Sequence, residues 1–144
     1  MIIIDTNVLS ELMRPARNLV VREWMRAQTM EERYTTSVTL AEISYGTERL
    51  PEGRRKTLLQ TGANAAFAAF RGQILPFDDA AAMHYATIAS TRDAIGRPIG
   101  PFDAQIAAIC RAHGAALATR NVKDFEGLGV DLIDPWSPAE SRTR

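Results

Sequence analysis

Three consecutive β-branched residues, Ile2, Ile3 and Ile4, stand near the start of the chain and are followed at once by Asp5. A strand that faces solvent on one side alternates apolar and polar residues, whereas a continuous apolar run is typical of a strand buried on both faces. Such strands lie in the middle of parallel sheets that helices cover on both sides. The run therefore predicts a central parallel strand that ends in a carboxylate.

Strand and helix patterns alternate along the rest of the 144-residue chain. Further strands are expected at Arg33 to Thr36, Gln73 to Phe77, Ala115 to Ala118 and Val130 to Ile133. Helices are expected at Val8 to Met13, after an Asn18 cap, from a Ser37 cap to about Leu50, at Arg54 to Phe70 with a division at Gly62, at Asp79 to about Ala94 after an Asp78 cap, and at Pro101 to His113. This alternation predicts an α/β fold with a mainly parallel central sheet and helices on both faces. We expect one domain over residues 1–136, followed by a loose polar tail at 137–144.

The composition excludes some classes of protein. Acidic and basic residues balance at 17 each, whereas a protein that coats nucleic acid non-specifically carries a positive excess. The single Cys110 excludes a disulfide within the chain, and we expect it in the core. The chain opens without the basic segment and the long apolar stretch of a signal peptide or membrane span, so we expect a cytoplasmic protein.

Four acidic residues lie close to the ends of the predicted strands. Asp5 follows the first strand, Glu42 comes after the second, and Asp103 and Asp124 flank the fourth. Ligands of open α/β sheets bind beyond the carboxyl ends of the strands, so these carboxylates are expected to converge there. Converging carboxylates repel one another unless a cation joins them. Mg²⁺ needs only one or two carboxylates together with water and substrate phosphate, and it can promote phosphodiester hydrolysis.

Each acid also has a structural interpretation. Glu42 falls in the second turn of its predicted helix and Asp103 in the first turn of its own, where acids interact favourably with the helix dipole. Asp124 can cap the turn that follows it. Asp5 comes straight after three isoleucines and has no capping purpose that a serine would not serve as well. The metal-site interpretation therefore depends mainly on Asp5 and on the joint placement of the four acids.

Four segments together resemble the four motifs of the PIN-domain family, in the family's order: Ile3 to Val8, Thr39 to Glu42, Asp103 to Ala108 and Ala118 to Phe125. The chain is most similar to the VapC-type toxins of bacterial toxin–antitoxin pairs, in the FitB-like subgroup, from about Met1 to Trp136. The resemblance implies a PIN-like three-layer fold and an endoribonuclease that depends on Mg²⁺, with Mn²⁺ as the alternative ion. It also implies a homodimer that is inhibited by a small cognate antitoxin that binds DNA.

The resemblance assigns roles to the acidic residues. Asp5, Glu42 and Asp103 match the three acids central to the family's metal site, and the fourth position falls on either Asn121 or Asp124. The ion held by Asp5 and Asp103 would polarise the scissile phosphate. Glu42 or Asp124 would orient the attacking water, and a 3′-hydroxyl would leave. Many relatives carry an acid where this chain has Asn121, so one firmly held ion is expected rather than two.

Supporting roles fall on three polar residues, Thr6, Asn7 and Thr119, which resemble the family residues that orient the acids or a water. For each, a purely structural role in a turn is an equal alternative. Arg97, Arg120 and Lys123 lie in predicted loops beside the acidic motifs, where they either meet RNA phosphates or form solvated surface.

Two other functions compete with the nuclease. A haloacid-dehalogenase-like phosphatase also starts with an apolar strand that ends in Asp, but it requires a second Asp two residues later, where this chain has Asn7. A binding module would use the acidic crevice to capture an arginine of a partner chain without cleaving RNA. The RNA target depends on loop shape and rim charges that one sequence does not place.

Overall fold

A computed structural model of the protein describes residues 1–138. Five strands form one parallel sheet in the order β3-β2-β1-β4-β5. The strands are Ile2–Ile4 (β1), Arg33–Thr36 (β2), Ile74–Leu75 (β3), Ala116–Ala118 (β4) and Leu132–Ile133 (β5). The isoleucine strand is central, as predicted, and the predicted third and fifth strands are shorter than expected.

Seven α-helices accompany these strands in the described part of the chain. They are Thr6–Leu12 (α1), Leu19–Ala27 (α2), Ser37–Glu48 (α3), Arg54–Ala69 (α4), Asp79–Ala94 (α5), Pro101–His113 (α6) and Val122–Phe125 (α7). No sequence pattern had indicated α7 or the short 3₁₀ helix Met30–Glu32. Within residues 1–138 no helix has the length and apolar character needed to cross a membrane. Of the tail predicted at 137–144, residues 139–144 lie outside the described part of the chain.

The sheet separates two hydrophobic cores, because successive residues of a strand point to opposite faces. Ile3 packs with Leu117 and with buried residues of α5 and α6, such as Ile106. Ile4 packs on the other face with residues of α1 to α4, such as Val8. The fold therefore has three layers, with the sheet between two helical layers, which confirms the predicted α/β class.

Two local predictions were wrong. The N-cap of α3 is Thr36, not Ser37, and its hydroxyl accepts a hydrogen bond from the Thr39 N–H at 3.0 Å. Helix α4 continues through Gly62 without a division. One interior glycine costs only about 1 kcal/mol, and Ala63 packs into the second core, so packing outweighs the weak local propensity.

Helix α6 begins and ends where the sequence predicted. Pro101 is the first residue, and Gly114 caps the carboxyl end with φ of 60°, a left-handed conformation that glycine adopts without strain. Cys110 is fully buried in the first core, as expected. This helix matters for function because its first turn carries Asp103.

Candidate active site

Asp5 lies at the carboxyl end of β1 and is only 4% exposed. Its Oδ1 accepts a hydrogen bond from the Thr6 N–H at 2.8 Å, so Asp5 also caps α1, a role that the sequence-based argument had set aside. Its Oδ2 accepts a hydrogen bond from the Thr119 hydroxyl at 2.7 Å. Thr119 follows β4, the strand that pairs with β1. The pairing of two central strands therefore sets the orientation of the Asp5 carboxylate.

Thr119 is fully buried, and its hydrogen bonds determine the direction in which its hydroxyl donates. The hydroxyl oxygen accepts from Asn7 Nδ2 at 3.3 Å and from the Asn121 N–H at 3.1 Å. A hydroxyl offers two acceptor positions and one donor, so with both acceptor positions used its proton points to Asp5. Asn7 and Thr119, predicted as supporting residues, thus lie where they orient the buried carboxylate.

Glu42 reaches the site through Thr6. The Thr6 hydroxyl donates to Glu42 Oε1 at 2.8 Å and lies 3.1 Å from the Thr39 hydroxyl. Helices α1 and α3 start directly after the adjacent strands β1 and β2, so their first turns meet at the same edge of the sheet. Thr6, the third predicted supporting residue, joins the two helices at the acidic cluster.

Asp103 lies half-buried in the first turn of α6. The N-cap of that helix is Gly100, and no N–H of the described residues donates to the Asp103 carboxylate. Burial raises the pKa of Asp103, and the negative charges of Glu42 and Asp124 raise it further. A carboxylate that capped the helix would accept hydrogen bonds that lower its pKa. The geometry therefore favours membership of the acidic cluster over a capping role.

Asp124, rather than Asn121, accompanies Asp103. Both aspartates line a cavity of about 200 Å³ beside the 98–100 loop. Asn121 donates its backbone N–H to Thr119, and its side chain forms no hydrogen bond within residues 1–138. The fourth acid of the cluster is thus Asp124, three residues after Asn121.

The cluster has an unbalanced negative charge. Burial raises the pKa of Asp5 to about 6, although hydrogen bonds from Thr119 and Thr6 oppose the rise, and the charges of Asp103 and Glu42 add to it. The ion pairs formed among residues 1–138 include none of the four acids. No arginine or lysine of the described chain therefore forms an ion pair with these acids.

The donor set fits a hard divalent ion held by few protein ligands. No three acidic, histidine or cysteine side chains of residues 1–138 stand close enough to share one metal ion. The Thr6 hydroxyl binds Glu42, and Asp5 is held by Thr6 and Thr119. Mg²⁺ is usually bound by one or two carboxylates and keeps several waters, which Asp5 and Asp103 match. Glu42 as a third direct ligand stays a prediction.

Arg92 was not anticipated as part of the site. Its side chain is buried in α5, 4% exposed, and its Nη2 donates to the carbonyl oxygens of Asp124 at 2.6 Å and Glu126 at 3.2 Å. It therefore holds α7, and with it Asp124, against α5. The available signal was weak: Arg92 lies four residues after Ile88, on the same buried face of the helix.

The fold and the site together define a class of protein: a three-layer α/β domain that gathers carboxylates at the carboxyl edge of a parallel sheet. Residues 2–129 match the PIN domain family, and the chain belongs to that family.

Known proteins resemble the chain over nearly its whole length. It is 39% identical over 140 residues to the VapC ribonuclease Y4jK of Sinorhizobium fredii, covering 96% of this chain and 100% of the relative. It is 36% identical over 137 residues to the toxin FitB of Neisseria gonorrhoeae, covering 94% of this chain and 99% of the relative. A solved structure of FitAB bound to the IR36 DNA fragment contains a chain with a TM-score of 0.87 and 36% identity, covering 94% of this chain and 96% of that one.

Proposed function

We propose that the chain is a divalent-metal-dependent endoribonuclease that hydrolyses RNA phosphodiester bonds and acts as the toxin of a toxin–antitoxin pair. One observation carries the proposal: Thr119 and Thr6 orient the buried Asp5 carboxylate in a cluster of acids with which no described cation forms an ion pair. Two relatives point the same way, because one is named a ribonuclease and the other a toxin.

Mg²⁺ is the proposed ion, with Mn²⁺ as the alternative, and Asp5 and Asp103 are the residues that would hold it. When bound, such an ion polarises a phosphodiester and neutralises developing charge. Glu42 or Asp124 accepts a hydrogen bond from the attacking water. The water oxygen bonds to phosphorus while the bond from phosphorus to the 3′-oxygen breaks. That oxygen leaves as a hydroxyl, with a proton that the water has given up.

The same likeness supports a proposal about the partners of the chain. FitAB is bound to DNA in its solved structure, and we propose for this chain a small DNA-binding antitoxin as its cognate inhibitor. We also propose a homodimer, a single domain over residues 1–136, and a cytoplasmic location, where cellular RNA is available as substrate.

An RNA-cleavage assay on purified protein tests the proposal. The wild-type chain should cleave RNA with Mg²⁺ and stop when EDTA is added, and Asp5→Asn should abolish cleavage while the protein stays folded. Asp93→Asn is the matched control, because Asp93 is an exposed aspartate of α5 outside the cluster. Full activity of Asp5→Asn would overturn the proposal. No cleavage by the wild type, together with tight binding of an arginine-bearing partner, would favour the binding module.

A further inference from the structure

Arg120 stands at the rim of the acidic site. It directly follows Thr119, whose hydroxyl contacts Asp5, and its own backbone N–H donates to Asn7 Oδ1 at 3.2 Å. The backbone at Arg120 is therefore tied to the same hydrogen-bonded group that orients the buried carboxylate. Its side chain is exposed.

The guanidinium of Arg120 lies over the ring of Trp136, with its central carbon 4.8 Å from the ring centroid. Trp136 is a fixed support, because its ring packs against the second core and its backbone N–H donates to Asp134 Oδ1 at 2.9 Å. A cation–π contact of this kind attracts the guanidinium to the ring without using its N–H donors in hydrogen bonds to oxygen. Within residues 1–138 no oxygen accepts a hydrogen bond from this guanidinium.

The two other arginines near the site, Arg92 and Arg97, have hydrogen bonds to main-chain oxygens and, in the described part of the chain, no aromatic ring as support. The Arg92 side chain is buried and donates to main-chain oxygens, including that of Asp124. Arg97 Nη2 donates to the carbonyl oxygen of Lys123 at 3.5 Å. Arg120 is thus the arginine at this edge of the sheet that rests on an aromatic ring and whose donors are free among the described residues.

We propose that Arg120, held against the ring of Trp136, binds a phosphate of single-stranded RNA next to the scissile one. The inference rests on the proposed function. The planar guanidinium matches phosphate oxygens in a two-pronged hydrogen bond, and a side chain that is already ordered loses less entropy on binding. RNA must approach a cluster of four acids, so a fixed cation at the rim opposes the repulsion between those acids and the RNA backbone.

The chain supplies a matched control for the test. Arg49 lies over the ring of Tyr45 at 5.7 Å, also an exposed arginine on an aromatic ring. It caps the carboxyl end of α3, whereas the residues of α3 that reach the site lie towards its amino end. Arg120→Ala and Arg49→Ala therefore remove the same charge and the same kind of contact at two places.

Binding is measured by fluorescence anisotropy of a labelled single-stranded RNA, with EDTA present and with Asp5→Asn as the background so that no RNA is cleaved. Arg120→Ala should raise Kd roughly tenfold, as loss of a charge-assisted hydrogen bond predicts. It should also reduce the slope of log Kd against log salt by about 0.7, the value for one phosphate of a single strand. Arg49→Ala should change Kd by no more than about twofold. Equal effects of the two variants would overturn the inference.

Two further variants test the role of the ring. Arg120→Lys keeps the charge but loses the flat stacking group, so its Kd should fall between those of the background and Arg120→Ala. Trp136→Phe should bind as the background does, and Trp136→Leu should approach Arg120→Ala, with circular dichroism to check folding. If Arg120→Lys binds as tightly as the background, Trp136 has no positioning role.

Cleavage kinetics give a second readout. With Mg²⁺ and an otherwise wild-type chain, Arg120→Ala should raise KM more than it lowers kcat, because a phosphate beside the scissile one is bound in both ground and transition states. If Arg120→Ala does not change the Kd for RNA, this inference is overturned and the proposed function is not affected. An absence of RNA binding by every variant, the wild type included, overturns the proposed function as well.

Discussion

Asp5 and Lys56 are both charged side chains that folding withdraws from water, and their surroundings are opposite. Lys56 is 7% exposed, and its Nζ donates to Glu52 Oε1 at 2.7 Å and to the Glu48 carbonyl oxygen at 3.0 Å. The hydrogen bond to Glu52 raises the pKa of Lys56 and keeps the ammonium charged. Asp5 is 4% exposed, accepts hydrogen bonds only from neutral donors of the described chain, and has further carboxylates as neighbours.

This difference in surroundings distinguishes Lys56, a structural charge, from Asp5, a functional one. Lys56 forms an ion pair with Glu52, and its hydrogen bond to Glu48 joins the end of α3 to the start of α4. Asp5 has no opposite charge within the described residues, and burial with like neighbours raises its pKa to about 6. A buried charge without a partner is destabilising, so its presence indicates a ligand that supplies the missing charge.

After the complete loss expected for Asp5→Asn, the largest effect is expected from Asp103, the second proposed metal ligand. Asp103→Asn should lower RNA cleavage by more than about 100-fold, since loss of even an outer-shell partner costs about 10- to 100-fold. Steady-state cleavage with Mg²⁺ measures the loss, and Asp93→Asn again serves as the control. If Asp103→Asn kept most of its activity, Asp103 would not belong to the functional part of the cluster.

A smaller loss should follow when the hydrogen bond that aims Asp5 is removed. Thr119→Val keeps the shape of the side chain but has no hydroxyl, so the affinity for Mn²⁺ should fall about 10- to 100-fold. Isothermal titration calorimetry measures the affinity directly, without reference to cleavage. Thr119→Ser retains the hydroxyl and should stay close to wild type. Equal affinities for the valine and serine variants would show that the hydrogen bond does not matter.

Asp5 should also make the stability of the metal-free protein depend on pH. Its folded pKa of about 6 lies above the ordinary value of 3.8, so protonated Asp5 favours the folded state. That contribution is fully present below about pH 4 and is lost as the pH rises through 6. In EDTA at pH 7 this pKa shift disfavours the folded wild type by up to about 3 kcal/mol. Asp5→Asn should therefore be more stable than wild type, but by less than this amount, because its amide nitrogen cannot accept one of the two hydrogen bonds.

Urea unfolding at pH 5 and pH 7 measures this difference, and the gap between variant and wild type should narrow at the lower pH. Added Mg²⁺ should stabilise the wild type at pH 7 and leave Asp5→Asn unchanged. A gap that did not vary with pH would contradict the assignment of the charge to Asp5.

The smallest effect on RNA cleavage is expected from replacing Lys56, the buried charge that has a partner. Lys56→Met leaves the Glu48 carbonyl without its donor and should lower the thermal unfolding temperature. RNA cleavage should stay within about twofold of wild type, because distant sites act independently. Lys56→Arg, which keeps the charge, should recover part of the stability. A large loss of cleavage in a folded Lys56→Met would remove the distinction between the two charges.

Local patterns were enough to predict much of the fold. The isoleucine run predicted the central strand, and Asn18, Asp78 and Gly114 cap their helices as expected. These predictions succeeded because periodicity and caps depend on residues only a few positions apart. Where packing competes with local propensity, as at Gly62 in α4, the local prediction failed.

The sequence by itself determined which acids follow the strands of a parallel sheet, and hence that Asp5 would lie in a crevice with partners. Only the tertiary structure decided how that carboxylate is held. Asp5 and Thr119 are 114 positions apart, and they meet because β1 pairs with β4 in a register that sets Ile4 beside Ala118. The same holds for Arg92 beneath Asp124. Such contacts depend on strand register and helix packing over the whole chain, which no short window of sequence contains.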